Sequence, residues 1–230
     1  MRLEPDPGPT SATATPTPSY GQRPAGRHAQ EQQFTLRQAL RTRAFWVLTA
    51  FSAGGFMVQA GVSLHQVAHY LRQGLPGPSA AMMASVFAFA QVPGGLLGSV
   101  LTRGMPIRFV LAIAGFCVAL GAAGTALSST LLAGILSAGM IGGGVGGLHL
   151  LLRLAWADYY GRQHLGVIRG ITLPVQIGGQ AVGPIAAGLL FDATGSYVMT
   201  FSGFAGVVAI SSLLVLMAVP PGQPPEHLCH

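Results

Sequence analysis

Apolar residues fill six stretches of the chain, each close to the roughly twenty residues a helix needs to cross the hydrocarbon layer. They run over Ala44–Leu64, Ser79–Leu101, Phe109–Leu127, Leu131–Leu152, Gly170–Leu190 and Tyr197–Val219. The breaks between them are Gly74-Leu-Pro-Gly-Pro78, Arg103-Gly-Met-Pro106, Ser128-Ser-Thr130, the polar stretch Arg153–Gly170, and Asp192-Ala-Thr-Gly195. Each break carries the turn residues expected between spans. The pattern predicts an all-α membrane protein with six transmembrane helices over residues 44–219. Residues 34–43 combine Phe34, Leu36 and Leu40 with Arg37, Arg41 and Arg43, which fits either a short helix lying at the membrane surface or a charged flank of the first span. Residues 1–33 are rich in Pro, Thr, Ala and Gly without apolar periodicity, and 220–230 form a short C-terminal tail. A segment of the composition of 1–33 buries too little surface to offset the entropy of ordering, so that tail is expected to be flexible. The first apolar run begins only near Ala44, which is not the layout of a secretory signal.

Composition agrees with lipid as the solvent. Half of the residues are hydrophobic and 8% are charged, against roughly a quarter charged in soluble domains. The 33 glycines suit helices that pack closely in a bilayer. All 12 basic residues are arginine, and neither lysine nor asparagine occurs. A Walker-type phosphate loop and a Schiff-base enzyme both need the lysine, and N-glycosylation needs the asparagine. The arginines lie at span ends and in one tail, with no basic face carrying stacking aromatics, so no nucleic-acid partner is expected. Two cysteines, Cys117 and Cys229, build no disulfide framework.

Charge also sets an orientation. Arginines near span ends are retained on the cytoplasmic side. With six crossings and the Arg153–Gly170 stretch inside, eleven arginines are cytoplasmic and only Arg72 is external. Both termini are then cytoplasmic, and a missed or invented span would scatter the arginines over both sides. Arginine without lysine, amid abundant Ala and Gly, points to a GC-rich bacterial genome and hence to a bacterial inner membrane.

Polar residues inside the spans are costly and tend to face a bundle interior or an aqueous cavity. Six are candidates for a solute pathway: Gln59 and His65 in the first span, Gln91 in the second, His149 in the fourth, and Gln176 and Gln180 in the fifth. The third and sixth spans have nothing more polar than Ser, Thr or Cys and are expected to face lipid. Gln176 and Gln180 share a helix face, bracketed by Pro174 and Pro184. A bent helix with freed carbonyls and amides near the midplane suits contact with a solute; the alternative is that each glutamine only bonds a neighbouring helix. His65 and His69 share a face with Arg72 one turn on, but lack a third ligand, so neither metal nor cofactor is expected. They are read as an external anion contact or as interfacial histidines without a role, and His149 with Arg153 is read likewise. Gly139, Gly143 and Gly147 repeat every four residues beside Gly142 and Gly146, a helix-packing pattern that a hinge would also use.

The sequence Trp156-Ala-Asp158-Tyr-Tyr-Gly161-Arg162-Gln-His-Leu-Gly166-Val-Ile-Arg169-Gly170, followed by Gly183-Pro184 and Gly188-Leu-Leu-Phe-Asp192-Ala-Thr-Gly195-Ser-Tyr197, resembles the C-terminal six-helix half of major facilitator superfamily transporters. Phe34–Trp46 is similar to the segment entering that half, and Ser63-Leu-His-Gln66 is similar to the monocarboxylate and oxalate/formate-exchanger-like branch. The family's loop between the second and third helices of a half reads Gly-x-x-x-Asp-Arg-x-Gly-Arg-Arg. Here Gly98, Arg103 and Arg108 stand in that region, with Thr102 in place of the acid. The resemblance implies a cytoplasmic loop motif formed by these residues together with Asp158, Arg162 and Arg169. It also implies that the first, second, fourth and fifth helices line the pathway, and that the chain is one half of the fold. The expected function is therefore secondary transport of a small organic solute, such as a monocarboxylate, by alternating access. The partners are the lipid bilayer and an N-terminal six-helix half: a separate chain, a second copy or, since the tail resembles a central loop cut open, an upstream part of the same reading frame. With no acid in any span, only histidines titrate within this half near neutral pH, and proton coupling is expected in the other half. Two rivals stand beside this expectation. One is a non-transporting fragment or assembly partner. The other is an intramembrane serine protease built on Ser99 and His149, which lack the surrounding pattern.

Overall fold

A computed structural model describes residues 34–221. The tail at 1–33 and residues 222–230 lie outside the described residues. Among these, the chain is all helix: α1 (Leu36–Leu40), α2 (Arg43–Arg72), α3 (Gly77–Leu101), α4 (Ile107–Leu127), α5 (Leu131–Tyr160), α6 (Leu165–Thr194) and α7 (Tyr197–Val215). The last six are long and apolar enough to cross a membrane. Their ends follow from local chemistry. Thr42, Thr130 and Ser196 precede α2, α5 and α7, and their hydroxyls accept from Phe45, Ala133 and Val198 N–H at 3.3, 3.3 and 3.2 Å. Such caps satisfy donors that a helix start leaves free. α6 stops at Gly195, whose φ of 68° is the left-handed conformation glycine adopts without strain.

Several helices outrun their apolar spans. α2, α5 and α6 have 30 residues each, about 45 Å at 1.5 Å per residue against a hydrocarbon core of about 30 Å. The largest difference is at Arg153–Gly170, expected as a polar interruption. Arg153 to Tyr160 closes α5, Leu165 to Gly170 opens α6, and only residues 161–164 connect them. Of the motif residues assigned to a cytoplasmic loop, Asp158 and Arg169 are therefore helical, as is Gly98 inside α3 and Arg108 in the first turn of α4; only Arg103 and Arg162 lie in connections. The physical reason is that hydropathy marks where lipid ends, while backbone hydrogen bonding continues into the polar zone. The last helix errs the other way, ending at Val215 rather than Val219.

The helices pack in the order α3, α5, α4, α7, α2, α6, each chiefly against the next, with little contact between α6 and the α3 end of the series. The six long helices thus form an arc with an open mouth between α3 and α6. In two of the seams glycine brings parallel backbones together. A Cβ on Gly142 or Gly146 would meet the Phe87 or Gln91 carbonyl of α3, and one on Gly179 or Gly183 would meet the Ala53 or Met57 carbonyl of α2. In both seams residue numbers rise together, so α3 runs parallel to α5 and α6 parallel to α2. Exchanging α2, α3 and α4 for α5, α6 and α7 maps this contact scheme onto itself, as an internal three-helix repeat does.

Of the two spans expected to face lipid, the third needs correction. α4 is the most enclosed of the six, with 61% of its apolar window buried, whereas α3 and α6 bury only 22% and 17%. Absence of polar side chains left α4 free to fill the space between α5 and α7. At the arginine-rich end, Phe34, Phe45, Trp156 and Tyr160 pack edge to face or stacked with ring centres 5.5 to 6.4 Å apart. Phe34 N–H donates to the Tyr160 carbonyl at 3.1 Å, Thr42 Oγ1 and Tyr160 OH lie 2.7 Å apart, and Tyr159 OH donates to the Ala218 carbonyl at 2.7 Å. These bonds tie α1, α2 and the end of the last helix to α5.

Candidate functional site

The open mouth of the arc collects polar groups from three helices. On the α3 side, Gln91, His149 and Arg153 line a cleft of about 470 Å³ together with Gly95, Leu96 and Gly146. On the α6 side, His149 and Arg153 recur, with Trp156, Arg169, Gln176 and Gln180, in a narrower pocket of about 150 Å³ closed by Phe56 and Leu152. His149 and Arg153, one turn apart on α5, therefore form a ridge shared by both. The Phe56 ring of α2 packs edge-on to the His149 imidazole at 4.9 Å and fixes its position.

The local sequence explains why these side chains reach the mouth. Gly146 lets α3 approach α5 at the level of Gln91, where any side chain would strike the α3 backbone. Pro93, Pro174 and Pro184 sit inside α3 and α6. A proline removes the donor to the carbonyl four residues back, leaving those of Phe89, Gly170 and Gln180 without a helical partner. Gln180 thus brings an amide and a freed carbonyl to one place. Gln176 is 7% exposed and borders the pocket.

Four of the six pathway candidates, Gln91, His149, Gln176 and Gln180, are brought together at the mouth. The other two are not. Gln59 is on α2 with its Oε1 buried and without a protein partner, and His65 Nε2 lies 3.3 Å from the Pro184 carbonyl in the contact of α2 with α6. His69 Nε2 is 2.8 Å from the Thr125 carbonyl, and the Arg72 guanidinium lies 4.4 Å over the Phe191 ring. The two histidines therefore serve different helix contacts. Among the described residues no three His, Cys, Asp or Glu side chains gather as a metal site.

The loop-motif residues divide. Gly98 packs on Leu151, 3.2 Å from its would-be Cβ. Thr102 donates its hydroxyl to the Ser99 carbonyl at 2.7 Å and ends α3. Arg108 stacks on Phe109 at 5.0 Å, Arg103, Asp158 and Arg162 are exposed, and Arg169 alone enters the pocket. Gly139 and Gly143 border a separate apolar groove of about 330 Å³ between α3, α4 and α5; Gly147 faces Ala114, whose Cβ is 3.1 Å from the position of an added Cβ. The pocket residues that sequence alone did not single out are Phe56 and Trp156, large rings on helix faces indistinguishable by composition from core.

Comparison with known protein families and with curated proteins finds no match for this chain.

Proposed function

We propose that the chain is one six-helix half of a major facilitator superfamily secondary transporter, moving a small organic solute across the membrane by alternating access. The observation that carries this reading is the convergence of Gln91, His149, Gln176 and Gln180 at the one side of the arc that its own helices leave open. Amides and an imidazole at span depth are expensive in lipid and belong in a cavity. Further support comes from the contact scheme, since an inverted repeat of three helices within each six-helix half is a feature of these carriers. Prolines inside α3 and α6 support the same reading, because interrupted helices near the midplane form substrate sites in transporters. The resemblance of the sequence narrows the solute to small organic acids such as a monocarboxylate. The arginine-rich end is cytoplasmic in this proposal, in a bacterial inner membrane, with both termini inside. Ser99, the serine of the protease alternative, donates its hydroxyl to the Leu96 carbonyl at 2.7 Å within its own helix.

A second reading has one observation in its favour. Half an arc supplies only half of a cavity, so the polypeptide by itself acts as an assembly partner and transports only when a second six-helix half covers the mouth. Flux of labelled monocarboxylates into vesicles separates the two. Uptake by the chain alone, lost in Gln176→Leu and Gln180→Leu, supports the carrier; uptake only after a second half is co-reconstituted supports the assembly partner. Uptake indifferent to all four polar residues would end the proposal.

A further inference from the structure

The pocket between α5 and α6 has an unusual balance of hydrogen-bonding groups. Arg153 and Arg169 both line it, and among the described residues no aspartate or glutamate does. Guanidinium groups donate and never accept. Trp156 also borders it; the residue is 1% exposed, and its indole N–H has no acceptor among the described residues. Indole likewise only donates, and a buried donor left without a partner is destabilising. Gln176 and Gln180 present amides that turn to suit either role. Two like charges and a donor without a partner thus border one small space, and among the described residues no acid offsets them. Asp158, the acid nearest along α5, is exposed and is not part of the lining.

Size limits the occupant. The pocket holds about 150 Å³, the volume at which a protein cavity accommodates a benzene-sized molecule, so about six non-hydrogen atoms fit. All of the donors belong to α5 and α6, and none has to come from a second half.

We propose that α5 and α6 form an oxyanion subsite complete within this half, where Arg153, Arg169 and the Trp156 N–H hold the carboxylate of a small organic acid at the arginine-rich end. The inference rests on reading this cleft as a solute site, and its test is binding rather than flux, so that the two fail separately. Bidentate pairing of carboxylate with guanidinium gives the subsite its preference for a planar anion over an uncharged isostere.

The experiment uses the full chain in phosphatidylcholine nanodiscs, titrated calorimetrically with propionate and with propionamide, which differ only in O⁻ against NH₂. Propionate is expected to bind at least about tenfold more tightly, the ratio set by one lost charge-assisted hydrogen bond. Arg153→Gln and Arg169→Gln each lower propionate affinity by a similar factor while leaving propionamide unchanged; both residues are partly solvent-accessible, so the variants fold. Arg169→Lys, which keeps the charge and loses the fork, falls between. Trp156→Phe weakens propionate binding several-fold, and its melting curve distinguishes a lost donor from a damaged core. Equal binding of the two probes overturns the oxyanion subsite but leaves a solute site. Propionate binding that survives both Arg→Gln changes, or binding seen only with anionic lipid, overturns it too. Tight propionate binding without flux in any reconstitution sinks the carrier and leaves the subsite standing.

Discussion

The α3–α5 seam makes a sharp prediction because two neighbouring glycines in it face opposite conditions. At Gly146 an added Cβ would lie 2.6 Å from the Gln91 carbonyl carbon and 2.7 Å from its Cα. Carbon atoms in contact prefer about 3.5 to 4.0 Å. The obstacle is backbone, so no rotamer relieves it, and α3 has to retreat by roughly 1 Å. Overpacking of this kind costs about 1 to 3 kcal/mol, and the retreat also loosens Gly94 against Gly143 and Gly142 against Phe87. Against it stands a helix-propensity gain of up to about 1 kcal/mol for alanine over glycine. The steric cost wins. At Gly143 the nearest atom to a new Cβ is the Ala90 carbonyl oxygen at 3.9 Å, an ordinary contact, so only the propensity gain remains.

Gly146→Ala is therefore expected to be less stable than Gly143→Ala by about 2 kcal/mol, which at this chain length corresponds to a melting difference of about 4 to 8 °C. Thermal unfolding of the two variants in the same detergent, followed by tryptophan emission, reads it directly. Since Gln91 rides on the displaced stretch of α3, solute affinity should also change in Gly146→Ala and not in Gly143→Ala. Equal melting points, or a more stable Gly146→Ala, would refute the close parallel packing of α3 on α5. A Gly143→Ala variant that melts normally but transports slowly would instead make Gly143 a hinge.

Other expectations follow from the same geometry. Gly183→Ala, whose Cβ would sit 2.9 Å from the Met57 carbonyl carbon and 3.1 Å from Gly61 N, should destabilise the α2–α6 seam as Gly146→Ala does the other, while Gly188→Ala, with no atom within 4 Å, should be neutral in the same melts. Tyr159→Phe deletes a buried 2.7 Å bond to the Ala218 carbonyl and should lower stability by about 1 kcal/mol, read as a melting point about 2 to 4 °C lower. Single cysteines replacing Arg72 and Arg162 in a chain lacking Cys117 and Cys229 should react with an impermeant maleimide from opposite sides of the membrane; reaction of both from one side would refute the six-span topology.

How much of this was legible in the sequence depends on the interaction concerned. Span number and the centres of all six helices follow from hydropathy, because lipid selects residues one at a time and composition records the choice. Helix ends do not, as Arg153 to Tyr160 and Leu165 to Gly170 show: once outside the hydrocarbon, a polar helix and a polar loop have the same composition. The site was partly legible. Gln176 and Gln180 could be placed on one face from their spacing and flanking prolines, but joining them to Gln91 and His149 requires knowing that α5 lies between α3 and α6. The glycines illustrate the same limit. Gly139, Gly143 and Gly147 form the more regular stripe, yet it is at Gly142 and Gly146 that an added Cβ would strike the α3 backbone, since which glycine faces a neighbour is set by helix rotation and not by periodicity.

The distribution of burial among the helices carries one step further. α3 and α6 bury least of their apolar surface and present large exposed side chains such as Phe89, Val92, Ile177 and Ile185, which lipid would accept without penalty. It would not accept what lies among them. An arginine at the centre of a bilayer-exposed helix costs at least about 2.5 kcal/mol, and the amides of Gln91, Gln176 and Gln180 would add unpaired polar groups in hydrocarbon. Arg153 and Arg169 escape part of that cost by lying toward the helix ends, where long side chains reach the interface; Gln176 and Gln180, seven and eleven residues deeper along α6 than Arg169, do not. A mouth with apolar rims and a polar floor is therefore stable only when something other than acyl chains fills it. Burial and polarity thus point to the same surface for different reasons, one because nothing within the chain covers it, the other because lipid is a poor cover.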